Sequence, residues 1–90
     1  MTQLNALLSP IKIRNTEIPN RAVMPPMGTA LGDRDGSVND ALIAYMQRHA
    51  AGGAGLLISE ITAVHPNGIV TPAEVGSWDD RFIPGLTRLA

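Results

Sequence analysis

The chain is 90 residues long, 44% hydrophobic and 17% charged, with a formal net charge of -1 at pH 7 and no cysteine. That balance belongs to a folded globular protein rather than a disordered tail, and the missing cysteines exclude disulfides, thiolate metal sites and thiol catalysis within these residues. Lys and Arg occur singly, with no basic run that would give an electrostatic footprint for nucleic acid or anionic lipid.

A chain this short buries only about 60 to 65% of its unfolded surface, so its core is small. Met1 to Asn5 contain no cationic segment followed by an unbroken apolar stretch, so neither a signal peptide nor a transmembrane helix is expected. The expected location is cytoplasmic, with no membrane and no nucleic-acid partner.

Residues 10–19 alternate apolar and polar side chains on both sides of Asn15-Thr16, the pattern of a short β-hairpin, and Pro10 and Pro19 suit an edge element. Arg21-Ala22-Val23-Met24 reads as a buried first strand, stopped by Pro25-Pro26 because neither proline can donate a ladder hydrogen bond. Residues 28–38, with Gly32 and Asp35-Gly36, read as a loop holding a tight turn.

Asn39 is placed to cap a helix, and Asp40 suits its first turn, where a negative charge faces the helix dipole. Leu42, Tyr45, Met46 and His49 then form one stripe at spacings of three and four, and Gly52-Gly53 ends the run. Residues 55–61 are nearly continuous in apolar side chains until Ser59 and Glu60, as in a parallel strand covered on both faces. Strand, crossover helix and strand make a βαβ unit.

Residues 62–77 form a long loop, expected to hold a small hairpin around Asn67-Gly68, and loops of this length usually carry function. A second helix is expected from Asp79 or Asp80, with Pro84 in its first turn and Phe82, Leu86 and Leu89 on one face. The fold class is therefore α/β: a hairpin plus about two βα units, enough for about a quarter of a TIM (β/α)8 barrel. A complete barrel needs roughly 250 residues.

In such barrels chemistry sits at the strand C-termini, here around residues 24–29 and 60–62. Two rigid prolines followed by a glycine let a flat ligand approach the main chain without an intervening side chain. Glu60, a single carboxylate, reads first as a structural hydrogen-bond acceptor rather than an acid or base. His49 reads as packing and His65 as a loop residue with no second ligand at metal spacing.

The run Asn20-Arg21-Ala22-Val23-Met24-Pro25-Pro26-Met27-Gly28-Thr29 resembles the first-strand signature of the old yellow enzyme family of FMN-dependent NAD(P)H:flavin oxidoreductases. Residues 8–13, 35–38, 48–60 and 78–86 agree with the family in order and spacing. The Pro-Pro-Met-Gly-Thr form is most similar to the 2-enoate and 2,4-dienoyl-CoA reductase branch.

The resemblance implies FMN at the strand ends, contacted by Pro25, Pro26, Met27, Gly28 and, after the second strand, Ile61. It implies hydride passing from NAD(P)H through flavin to an activated C=C bond of a small enone or enoate. It also implies that residues 1–90 are an incomplete N-terminal segment of a single FMN-binding barrel domain, inactive alone. The catalytic residues, and any 4Fe-4S cluster, would lie downstream, and the parent's homo-oligomeric state is open. Gly28 stands where the family often has Thr or Cys, and Ala30 where some members have a substrate-contacting Tyr, so flavin tuning and substrate preference would differ. The alternative is a truncated, non-catalytic α/β module that self-associates or binds a partner.

Overall fold

A computed structural model describes residues 4–90. The reading of residues 1–5 as free of a signal sequence therefore falls partly on residues outside those described. Along the chain lie β1 (Ile11–Ile13), β2 (Thr16–Ile18), β3 (Val23–Met24), α1 (Asp40–Ala51), β4 (Leu56–Leu57), β5 (Thr62–Ala63), β6 (Val75–Gly76) and α2 (Ile83–Leu89). Short 3-10 turns cover Pro66–Gly68 and Asp80–Phe82.

β1 and β2 form the expected antiparallel hairpin, pairing Ile11 with Ile18 and Ile13 with Thr16. Its turn is Arg14-Asn15 rather than Asn15-Thr16. The pairing of Ile13 with Thr16 leaves a two-residue loop, and such loops need a left-handed residue, here Arg14 at φ 52°.

β3 and β4 pair in parallel, Val23 opposite Leu56 and Met24 opposite Leu57, with α1 between them in sequence, so the βαβ unit is present. Both strands are shorter and wetter than the apolar runs suggested: Val23 is 49% exposed and Leu56 and Leu57 are half-buried. The run 55–61 reads as a strand covered on both faces, but only Leu56–Leu57 is strand, with Gly55 N and Ile58 N each adding one bond to the β3 side. Among the described residues each of these strands has a single partner, which leaves its other edge open to solvent.

α1 begins as predicted. The Asn39 side chain accepts from Leu42 N at 3.0 Å, satisfying one of the free N–H groups of the first turn, and its amide donates to Leu31 O and Asp33 Oδ1, tying the helix start to the loop before it. Gly52 and Gly53 end it, Gly53 at φ 103°. Leu42 is 1% exposed and forms the core with Val38 and Val75, against which Leu31, Ile43, Tyr45, Met46, Leu86 and Leu89 pack. His49 departs from the buried stripe: it is exposed, its ring lies tilted against Tyr45 with centroids 4.5 Å apart, and its Nδ1 lies 2.8 Å from Tyr45 O.

The loop before α1 turns at Asp33 to Gly36, closed by Gly36 N donating to Asp33 O at 3.0 Å. Gly36 has φ 92°, and a Cβ there would meet the rings of Trp78 and Phe82 at 3.1 and 3.2 Å, so this position requires glycine twice over. Ser37 N donates to Asp35 Oδ1 at 2.9 Å and holds that exposed carboxyl below its ordinary pKa.

The expected hairpin at Asn67-Gly68 is absent. Pro66 opens a 3-10 turn that the His65 side chain caps by accepting from Asn67 N at 3.1 Å. The flanking strands run parallel, Thr62 opposite Val75 and Ala63 opposite Gly76, an arrangement no hairpin can make.

α2 follows Asp79, whose side chain caps the preceding turn through Arg81 N, and Pro84 sits in the helix's first turn. Arg88 pairs with Asp40 at 2.6 Å, but both side chains are exposed, so the link between the helices rests on Leu86 and Leu89 rather than on charge.

The radius of gyration is 15.3 Å, against about 12 Å for a compact domain of this length. The excess reflects an elongated body with few buried side chains. No described helix is long and apolar enough to cross a membrane.

Candidate functional site

The C-terminal ends of β3 and β4 lie side by side because the strands are parallel, and this brings together the two segments that carry the sequence motif. Pairing continues one step beyond the strands, with Ile58 N donating to Met24 O at 3.0 Å. It then stops at Pro25 and Pro26, which have no N–H to give.

Residues 25–28 form an exposed ledge. Met27 is 59% exposed, and among the described residues neither the N–H nor the C=O of Met27 or Gly28 has a hydrogen-bond partner. Exposed main-chain donors of this kind are open to solvent or to a ligand.

A Cβ built on Gly28 would meet only Ile61 Cγ2, at 4.0 Å, so Gly28 leaves a gap beside the 51% exposed Ile61. The structure thus gathers Pro25, Pro26, Met27, Gly28 and Ile61 at one end of the β3–β4 pair. Such a surface offers apolar side chains, two free main-chain N–H donors and a gap at the glycine. That is the chemistry a flat, mostly apolar ring with a polar rim requires.

Beneath the ledge lies a feature the sequence did not disclose. Glu60 is 7% exposed and uses both carboxylate oxygens on one residue: Thr29 N donates to Oε2 at 2.9 Å and Thr29 Oγ1 donates to Oε1 at 2.8 Å. The reading of Glu60 as a structural acceptor agrees with this, but its partner lies 31 residues away. The available signal was the parallel register, which sets the loop after β3 beside the end of β4.

Thr29 Oγ1 also accepts from Leu31 N at 3.2 Å, bracing Ala30 at φ 56°, a left-handed conformation that costs a non-glycine residue energy and needs support. Ile61 follows Glu60 directly, and Thr62 Oγ1 donates to Glu60 O at 2.9 Å, so the second segment is fastened at the same point.

Residues 6–90 match the family described as NADH:flavin oxidoreductase / NADH oxidase. The chain is 42% identical over 91 residues to an NADH oxidase of Thermoanaerobacter brockii, covering 100% of this chain and 14% of that protein. It is 35% identical over 77 residues to an NADPH dehydrogenase of Clostridium acetobutylicum, covering 86% of this chain and 23% of that one.

Among solved structures, a 2-naphthoyl-CoA reductase complex superposes with a TM-score of 0.91 at 30% identity, over 93% of this chain and 13% of that one. The old yellow enzyme homologue from Zymomonas mobilis superposes with a TM-score of 0.85 at 27% identity, over 93% and 23%. The chain therefore spans about a seventh to a quarter of the proteins it matches, and its strands and helices correspond to a part of an old yellow enzyme barrel without closing one.

Proposed function

Because the chain belongs to the NADH:flavin oxidoreductase / NADH oxidase family, we propose that it is the FMN-contacting N-terminal part of a barrel oxidoreductase that uses NAD(P)H to reduce an activated C=C bond of a small enone or enoate. The observation that carries this reading is the ledge itself: residues 25–28 exposed beside Ile61, with the Met27 and Gly28 N–H groups unpartnered among the described residues. Bound there, FMN supplies hydride chemistry between a nicotinamide and the alkene.

The chain's own part is to hold and to exclude water. Pro25 and Pro26 give a stiff backbone, Met27 and Gly28 offer main-chain donors to the polar rim of the ring, and the Met27 and Ile61 side chains provide apolar cover. Any 4Fe-4S cluster would draw its ligands from elsewhere, since these 90 residues contain no cysteine.

The test is to purify the intact protein, release its chromophore and identify it, then follow anaerobic bleaching by NADH and by NADPH. FMN, bleached by one or both, is the expected result, while a colourless protein that takes up no FMN sinks the reading. Alone, residues 1–90 are expected to bind FMN weakly and to reduce nothing, because most of the barrel is missing from them.

Gly28→Thr is a second check. The gap beside Ile61 admits the side chain, so stability should change by less than about 0.5 kcal/mol, while the added hydroxyl shifts the visible absorbance of bound flavin. Superimposable spectra would count against placing Gly28 at the ring.

A second reading, a non-catalytic module that self-associates, draws on the exposed Val23, Ile58, Val64 and Val70. Sedimentation of the isolated chain separates the two: a concentration-dependent oligomer that takes up no FMN favours the module.

A further inference from the structure

We propose that Glu60 is a positioning residue that sets the affinity of the ledge for FMN by acting through Thr29. This deepens, and rests on, the reading of residues 25–28 as flavin-binding.

Along the chain the ledge is held at two points. Upstream, Met24 O accepts from Ile58 N. Downstream, Thr29 is gripped by Glu60 through both its backbone N–H and its hydroxyl. Between these points no hydrogen bond from the described residues reaches residues 25–28, so their conformation depends on two prolines and two end anchors.

The downstream anchor is the stronger, because both its bonds go to a carboxylate and charge-assisted bonds exceed neutral ones. It also fixes the gap at Gly28, since Thr29 and Glu60 directly adjoin Gly28 and Ile61. Both Glu60 oxygens accept from Thr29, and the side chain is buried. That arrangement suits a brace and not an acid or base, which would need an oxygen facing the substrate. Without the brace, the ledge must be ordered at the moment of binding, and affinity falls by that ordering cost.

The experiment titrates FMN into the intact apoprotein, following fluorescence quenching, for the wild type and for Glu60→Ala, Glu60→Gln, Thr29→Val and Glu74→Gln. Glu74 is the other buried carboxylate; its Oε2 accepts from Val70 N at 3.3 Å and it makes no hydrogen bond to Thr29 or to residues 25–28, so it controls for general loss of stability. Glu60→Ala should weaken FMN binding at least about tenfold and move the spectrum of bound flavin toward that of free FMN.

Glu60→Gln should stay within about threefold of wild type, because its amide can still accept from Thr29 N–H and donate to Thr29 Oγ1. Thr29→Val should fall between them, and Glu74→Gln should leave FMN affinity unchanged whatever it does to the melting temperature.

Unchanged affinity in Glu60→Ala overturns the proposal. So does a Glu60→Gln as weak as Glu60→Ala, or an equal loss in Glu74→Gln. If Glu60→Ala is not recovered folded, Thr29→Val decides, and wild-type affinity there overturns the role. Failure of the wild type to bind FMN rejects the flavin reading as a whole, an outcome seen before any variant is compared.

Discussion

Gly55→Ala is expected to cost about 3 kcal/mol or more, a large effect for a single added methyl. A Cβ at position 55 would overlap the carbonyl oxygen of Asn20 and lie 2.7 Å from Asn20 Oδ1. A backbone oxygen cannot swing aside as a side-chain tip can. Asn20 is held there from both ends of its amide: Nδ2 donates to Gly53 O at 2.8 Å, and Oδ1 accepts from Ala22 N at 3.0 Å.

Gly55 N in turn donates to Ala22 O at 2.9 Å, the bond that starts the register of β3 on β4. The added methyl therefore pushes the two strands apart where their pairing begins. Because the ledge and Glu60 sit at the other end of the same pair, FMN binding should be lost with the stability. Thermal melting of the intact protein, with FMN uptake measured alongside, checks both. A variant melting within about 1 °C of wild type would show that Asn20 can move, and the close approach of these two backbones would not be what sets the register.

Leu42→Ala should cost about 2 to 5 kcal/mol. The side chain is 1% exposed and lies at the centre of the core, with Val38 and Val75 beside it and Leu86 and Leu89 of α2 packed against the cluster. Three elements meet at this residue: the loop before α1, strand β6 and helix α2. A core of few members has little means of collapsing into the space left behind, which argues for the upper half of the range. Denaturant unfolding of the intact protein measures it. A loss under about 1 kcal/mol would mean that the cluster is not the core that joins these elements.

Signals in the sequence that act over a few residues hold in the structure. Asn39 as a cap, Gly52-Gly53 as a stop and Pro25-Pro26 as the end of a strand each depend on the conformation or hydrogen bonding of one or two residues, and each stands in the structure. Two turn readings failed by the same kind of cause. At 14–15 the strand register chose the turn residues, and at 66–68 a proline favoured a 3-10 turn while β5 and β6 paired in parallel. Register and partner direction are not local quantities, so alternation and a turn dipeptide could not supply them.

The candidate site divides along the same line. That pairing would end at residues 25–28 was legible, because Pro25 and Pro26 have no N–H to donate and Gly28 has no side chain, each a property of residue type. That Ile61 lies beside Gly28, and that Glu60 spends both oxygens on Thr29, followed only from the parallel pairing of β3 with β4. Burial differs for a related reason: the apolar run from residue 55 has the pattern of a strand covered on both faces, and the open edge left by a single partner exposes much of it. Composition and motif thus determined the element types, the family and the ledge. The tertiary structure decided the pairing, and pairing brings together groups distant in sequence at the few ångströms where hydrogen bonds form.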